Sequence, residues 1–144
     1  MFLGEYQHTL DAKGRVSLPR RFRDATGAHL VVSKGFEGCV YVYPAEGYKD
    51  FLEQLMAGSD FNRETRAVRR FFTAGAIEVP VDSAGRIALT PVLREHAGLN
   101  KDVVVAGVGD HIEIWDAKAW EAYEDGNAAT IEDAAEELAR QGIL

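Results

Sequence analysis

Cysteine occurs once in this 144-residue chain, at position 39. A lone thiol cannot close an intramolecular disulfide, which fits a reducing compartment, so a cytoplasmic protein is expected. Long apolar runs are missing too. The longest, Val103 to Val108, already holds a glycine and falls far short of the ~20 residues that cross a bilayer. Met1-Phe2-Leu3-Gly4-Glu5 has neither the basic start nor the apolar stretch of a secretory signal, so neither export nor a membrane partner is expected. The histidines, at 8, 29, 96 and 111, show no metal-site spacing. There is no Gly-x-Ser-x-Gly elbow, no Gly-rich loop ending in Lys-Ser/Thr, and no cysteine with a histidine partner. Catalysis, a metal, a cofactor and a small-molecule substrate are therefore not expected.

What the chain does have, it has twice. Asp11-Ala12-Lys13-Gly14-Arg15-Val16-Ser17-Leu18 returns 71 residues later as Asp82-Ser83-Ala84-Gly85-Arg86-Ile87-Ala88-Leu89. Arg23 and Gly27 pair with Arg94 and Gly98 at the same offset. After a one-residue slip, Gly35, Val42, Tyr43 and Tyr48 align with Gly107, Ile114, Trp115 and Trp120. A repeat this long is one supersecondary unit duplicated, each copy burying its apolar face on the other.

Each copy reads as a strand (about 5–10 and 76–81), the Asp…Gly-Arg turn, and a short alternating strand over Arg15–Leu18 or Arg86–Leu89. Pro19 and Pro91 then open a helix that Gly27 and Gly98 close. Two further strands follow, 29–34 with 39–43 and 102–107 with 111–115. Tyr48, Phe51, Leu52, Leu55 and Met56 form a one-sided helical stripe. Residues 62–74 make a second helix, with Val68, Phe71 and Phe72 inward. Asp116 is placed to cap a helix carrying Trp120 and Tyr123, and Thr130-Ile131-Glu132-Asp133 reads as a capping box opening an acidic helix. Gly58 to Asn62 reads as the link between halves and Asp125 to Ala129 as a joint. The fold class is mostly β with short helices, α+β.

The net charge of −7 argues against a polyanionic partner until the chain is divided. Residues 1–72 hold 11 Lys/Arg against 9 Asp/Glu; residues 73–144 hold 5 against 14. Lys13, Arg15, Arg20, Arg21 and Arg23 crowd together in the basic half, a local basic surface on an acidic body. Arg15 and Arg86 admit two readings. In one, Asp11, Gly14, Asp82 and Gly85 build structural turns in which Asp pairs with Arg. In the other, those residues only fix the loop that presents each arginine's planar fork to phosphate or a guanine edge. Pro91 and Val92 replace Arg20 and Arg21 in the second copy, which makes it the weaker anion binder. Arg63, Arg66, Arg69 and Arg70 read as salt-bridge formers, and Tyr43 and Tyr48 as core.

Met1-Phe2-Leu3-Gly4, the paired Asp-x-x-x-Arg turns, Leu18-Pro19-Arg20-Arg21-Phe22-Arg23 and Ile112-Glu113-Ile114-Trp115-Asp116 together resemble the MraZ family. These are bacterial transcriptional regulators with tandem SpoVT-AbrB domains. The resemblance implies two AbrB-like swapped-hairpin βαββ halves, at 5–47 and 76–119, forming one pseudo-symmetric barrel. A helical connector at 48–75 and an acidic helical tail at 120–144 flank them. It implies a nucleoid-associated ring homo-oligomer that binds double-stranded DNA at short tandem repeats. The regulated genes would be the division and cell-wall cluster, its own operon included, and the usual effect repression. DNA contacts would fall on Arg15 and Arg86, with Lys13, Arg20, Arg21 and Arg23 on the same face; Ala84 stands where a second lysine would. Met1 to Leu3 would anchor neighbouring subunits. Two alternatives stay open: a protein-interaction ring whose arginines are structural, and an AbrB-type antitoxin.

Overall fold

The computed structural model describes all 144 residues. The first half runs β1 (Phe2–Thr9), β2 (Arg15–Ser17), α1 (Arg20–Thr26), β3 (His29–Gly35), β4 (Cys39–Pro44), α2 (Ala45–Met56) and α3 (Arg63–Thr73). The second repeats that order as β5 (Ile77–Pro80), β6 (Arg86–Ala88), α4 (Pro91–His96), β7 (Asp102–Gly109), β8 (Ile112–Asp116), α5 (Ala117–Asn127) and α6 (Ile131–Arg140). The chain is thus an antiparallel, mostly β protein with six short helices.

The halves exchange strands. β1 pairs with β7 of the other half, from Phe2 opposite Gly109 to Thr9 opposite Asp102, and β5 pairs with β3, from His29 opposite Pro80 to Val32 opposite Ile77. The six-stranded order is β1-β7-β8-β4-β3-β5, and β2 and β6 form a separate two-stranded ribbon. At the sheet centre Tyr41 faces Glu113, and in the ribbon Val16 faces Ile87. Each of these pairs joins a residue to its own repeat equivalent, so a pseudo-two-fold axis passes through both.

Two expectations need correction. The hairpin registers pair Val32 with Val42 and Val105 with Ile114. β8 follows β4 by 72 residues, so β7 follows β3 by 73, and Gly35 corresponds to Val108 rather than Gly107. Two residues are added after Gly98, and the β7–β8 turn is one shorter. The ladder also does not close into a barrel: β1 and β5 remain sheet edges. The tight turns after β1 and β5 leave one bridge, Leu10 to Val16, between ribbon and sheet.

One core fills the space between the sheet and the ribbon. Val16, Leu18, Ile87 and Leu89 point inward from the ribbon onto Leu30, Val32, Val40, Val42, Val103, Val105, Ile112 and Ile114 of the sheet. Phe22 of α1 and Leu93 of α4 close the sides, and Phe2 packs edge-on against Phe22. Each of these side chains stabilises the fold by about 1.5–3 kcal/mol relative to exposure. Period-two alternation then turns the intervening ribbon residues, Arg15, Ser17, Arg86 and Ala88, away from the core. Phe2 is therefore internal, and of the expected apolar anchor only Met1 and Leu3 are exposed.

The opposite sheet face carries Tyr41, Tyr43 and Trp115. Phe51 of α2 stacks on Tyr43, Phe72 of α3 on Tyr41, and Trp120 of α5 lies edge-on to Trp115. Tyr43 is buried, as a core residue should be, but Val68 is exposed. Asn62 caps α3 and Asp116 caps α5 through their side chains, whereas Thr130 makes no side-chain cap, so the expected capping box does not form. α5 continues through the expected joint as far as Asn127. α6 is exposed along nearly its whole length, unlike its counterpart α3.

Candidate nucleic-acid interface

The two Asp-x-x-Gly-Arg turns have the same construction. Asp11 Oδ1 accepts the backbone N–H of Lys13 (2.9 Å) and of Arg15 (2.8 Å), while Oδ2 accepts Nε of Arg15 at 2.8 Å. Asp82 does the same for Ala84 (2.9 Å), Arg86 (2.8 Å) and Arg86 Nε (2.9 Å). Gly14 and Gly85, at φ 77 and 78, donate their N–H to the carbonyls of Asp11 and Asp82. That left-handed conformation is why glycine stands at both places. The hydrogen bonds to the turn amides, Arg15 N–H or Arg86 N–H first, hold both carboxyls below the ordinary carboxylate value, so the Asp side chains stay ionised at neutral pH.

This arrangement pairs each Asp with its Arg and leaves chemistry over. A guanidinium carries five N–H donors in a planar fork. Only Nε of Arg15 and of Arg86 is used in a hydrogen bond, which fixes the fork while its Nη groups have no hydrogen-bond partner in the chain. The side chains are 31% and 33% exposed, so both arginines are equally available to a ligand. The ribbon register places Arg86 opposite Ser17 and Arg15 opposite Ala88, bringing the turns side by side. Arg86 Nη1 lies 3.9 Å from Asp11 Oδ2, so one carboxylate serves both arginines.

Lys13 lies exposed in the first turn, and Arg20 and Arg21 are exposed at the start of α1. Arg23 differs. It is half-buried, and its Nε donates to the Leu18 carbonyl at 2.8 Å. Its guanidinium occupies the space that a side chain on Gly85 would fill. Sequence reasoning paired Arg94 with Arg23 but gave it no role; the structure lays Arg94 over Gly14 in the same way. The signal for both was their shared 71-residue offset.

The middle arginines divide. Arg69 pairs with Asp60 and donates to the carbonyls of Leu55 (2.8 Å) and Met56 (3.0 Å), so it ties the 58–62 loop to the end of α2. Arg66 donates to the Asp60 carbonyl at 2.9 Å. Arg63 and Arg70 are exposed. A cluster that the sequence did not announce surrounds His111. Its ring stacks on Tyr43, its Nδ1 lies 2.8 Å from Asp110 and its Nε2 3.2 Å from Glu113. Burial works to lower the His111 pKa, but the hydrogen bonds to Glu113 and Asp110 outweigh it and hold the value above 6.5.

Fold and site define a pseudo-two-fold α+β protein that presents a matched pair of carboxylate-anchored arginine turns on one face. The sequence matches the family described as "MraZ protein, putative antitoxin-like" over residues 1–71 and again over 72–141. It is 47% identical to a protein of Lachnoclostridium phytofermentans, over 92% of this chain and 94% of the relative. It is 46% identical to one of Heliobacterium modesticaldum, over 96% of each chain, and 43% identical to one of Acetivibrio thermocellus, over 99% and 100%. All three are named Transcriptional regulator MraZ. The chain belongs to the MraZ family.

Proposed function

We propose that this protein is a sequence-specific DNA-binding transcriptional regulator that represses the division and cell-wall gene cluster, its own operon included. The observation that carries the reading is the pair of turns: two arginines on one face, each fixed through Nε and with no hydrogen bond from its Nη groups. Such forks suit phosphates and guanine edges. Arg15 and Arg86 make the central contacts, and Lys13, Arg20 and Arg21 add phosphate contacts at the flank. The turns belong to two SpoVT-AbrB units, 5–47 and 76–119, joined by helices at 48–75 and followed by the tail at 120–144. The names of the relatives support the same reading.

A few phosphate contacts bind weakly at physiological salt, so the protein acts as a ring homo-oligomer on tandem repeats, in the cytoplasm at the nucleoid. Complementary patches support head-to-tail self-association. Exposed Phe61, Arg63 and Arg70 lie on one half. On the other, Glu121, Glu124 and Asp125, with Lys118 and with Glu5 from the crossing β1, line a cleft of about 560 Å³ beside Trp120. Three copies of DNA should be titrated across a salt series: upstream sequence, scrambled sequence, and upstream sequence with one repeat deleted. Arg15→Ala and Arg86→Ala should each abolish most of the preference and remain oligomeric on a sizing column. If wild type shows no salt-dependent preference, or the variants dissociate, the arginines serve assembly and the partner is a protein.

A further inference from the structure

We infer that Arg23 and Arg94 are positioning residues, each setting the contact turn of the opposite half. A Cβ on Gly85 would fall on Cζ, Nε and Nη1 of Arg23, and a Cβ on Gly14 would lie 2.8 Å from Cζ of Arg94 and 2.9 Å from its Nε and Nη1. Arg23 belongs to the first repeat and Gly85 to the second; Arg94 and Gly14 reverse the relation. Both contacts are crossed, and the pseudo-two-fold axis relates them.

The backbone makes each contact a clamp. Leu18 N–H donates to the Gly85 carbonyl at 2.9 Å, and the Leu18 carbonyl accepts Arg23 Nε at 2.8 Å. The turn that aims Arg86 is therefore held from both sides by residues of the first half. Across the axis, Leu89 N–H donates to the Gly14 carbonyl at 2.9 Å. There the symmetry breaks, because Arg94 Nε is buried with no hydrogen-bond partner. Arg23 also lies near His8 on β1, whose pKa is lowered by burial first and then by the Arg23 charge. Moving Arg23 out to a phosphate would break the Leu18 bond and uncover Gly85. In this respect it differs from Arg20 and Arg21, which are exposed.

The inference rests on the regulator reading for its consequence, that each half tunes the other half's DNA contact, but not for its geometry. Two measurements separate the two. In the DNA-free protein, amide hydrogen exchange should be followed by NMR in Arg23→Ala and Arg94→Ala. Arg23→Ala should speed exchange at Gly85 and Arg86, on the order of tenfold, and leave Gly14 and Arg15 unchanged. Arg94→Ala should do the converse with a smaller effect, since its Nε makes no bond. Arg23→Met, which keeps the stem but has no donor for the Leu18 carbonyl, replaces Arg23→Ala if the latter does not fold. Exchange that accelerates only in the variant's own half, or equally in both turns, overturns the inference.

On DNA, Arg23→Ala should be less than additive with Arg86→Ala and additive with Arg15→Ala. Full additivity with Arg86→Ala, together with a fall of about 1 in the salt slope, would make Arg23 a direct phosphate contact and sink the idea. If the protein binds no DNA, the crossed exchange pattern still decides the clamp, and the regulator reading fails separately.

Discussion

Three glycines share a positive φ and differ in what a side chain there would meet, which makes them a graded test. Gly98, at φ 57, follows α4 with nothing within 4 Å of an added Cβ. Gly14, at φ 77, faces the unbonded guanidinium of Arg94, and Gly85, at φ 78, faces that of Arg23 while Arg23 is bonded to Leu18. An alanine in the left-handed region costs about 1–2 kcal/mol, and the stiffer unfolded chain returns about 0.4–1 kcal/mol. Gly98→Ala should therefore lose about 0.5–1 kcal/mol. Gly14→Ala adds the displacement of a half-buried guanidinium without loss of a bond, for a total of about 1–2 kcal/mol. Gly85→Ala also breaks a charged, half-buried hydrogen bond, for a total of about 2–4 kcal/mol. Thermal unfolding with a near-constant enthalpy reads the series, at roughly 2–4 °C of midpoint per kcal/mol. Equal losses at all three sites would mean that both guanidiniums move aside freely, and the crossed clamps would not exist.

Phe72→Ala removes the ring that stacks on Tyr41 and meets Phe51, Phe36 and Phe71 edge-on, and should cost about 3–5 kcal/mol in urea or thermal unfolding. Because it lies across the sheet from the ribbon, any DNA affinity of the folded fraction should stay within twofold of wild type, by titration below the new midpoint. His111 has a folded-state pKa above its unfolded value, so its stabilisation is present below pH 6.5 and lost as pH rises through the folded value. Melting points across neutral pH should fall more for wild type than for His111→Gln; parallel curves would remove His111 as the titrating group.

The repeat made much of this architecture legible. A 71-residue offset that preserves Asp, Gly and Arg can be read without a structure, and so can the prolines and glycines that bracket α1 and α4. Alternation along Arg15–Leu18 gave the face on which each arginine would lie. Other features depend on distance rather than pattern. Glu113 and Asp110 reach His111 only because the short β7–β8 turn and the pairing of β4 with β8 stack it on Tyr43. Thr130 has the residues of a capping box, yet its backbone, at φ −118 and ψ −2, does not adopt the extended form from which a hydroxyl caps. Arg23 was grouped with Arg20 and Arg21 because all three lie within four residues. Arg20 and Arg21 are exposed while Arg23 is half-buried over Gly85, a difference set by packing against the other half.

The exchange of β1 and β5 ties the two copies of the duplication into one unit. β2 and β6 are three residues long, too short to hold a ladder alone. They meet because each half's first strand crosses to the other half's hairpin and delivers its turn to the axis, where Val16 pairs with Ile87. Without the exchange, Arg15 and Arg86 would lie on separate lobes, and Asp11 could not reach both. The acidic balance of the second half then does not oppose a basic face. Its charge lies largely on α5 and α6, and α5 packs on the far side of the sheet from the ribbon. Net charge describes the whole molecule; the crossed strands decide which charges a ligand on the ribbon face would meet.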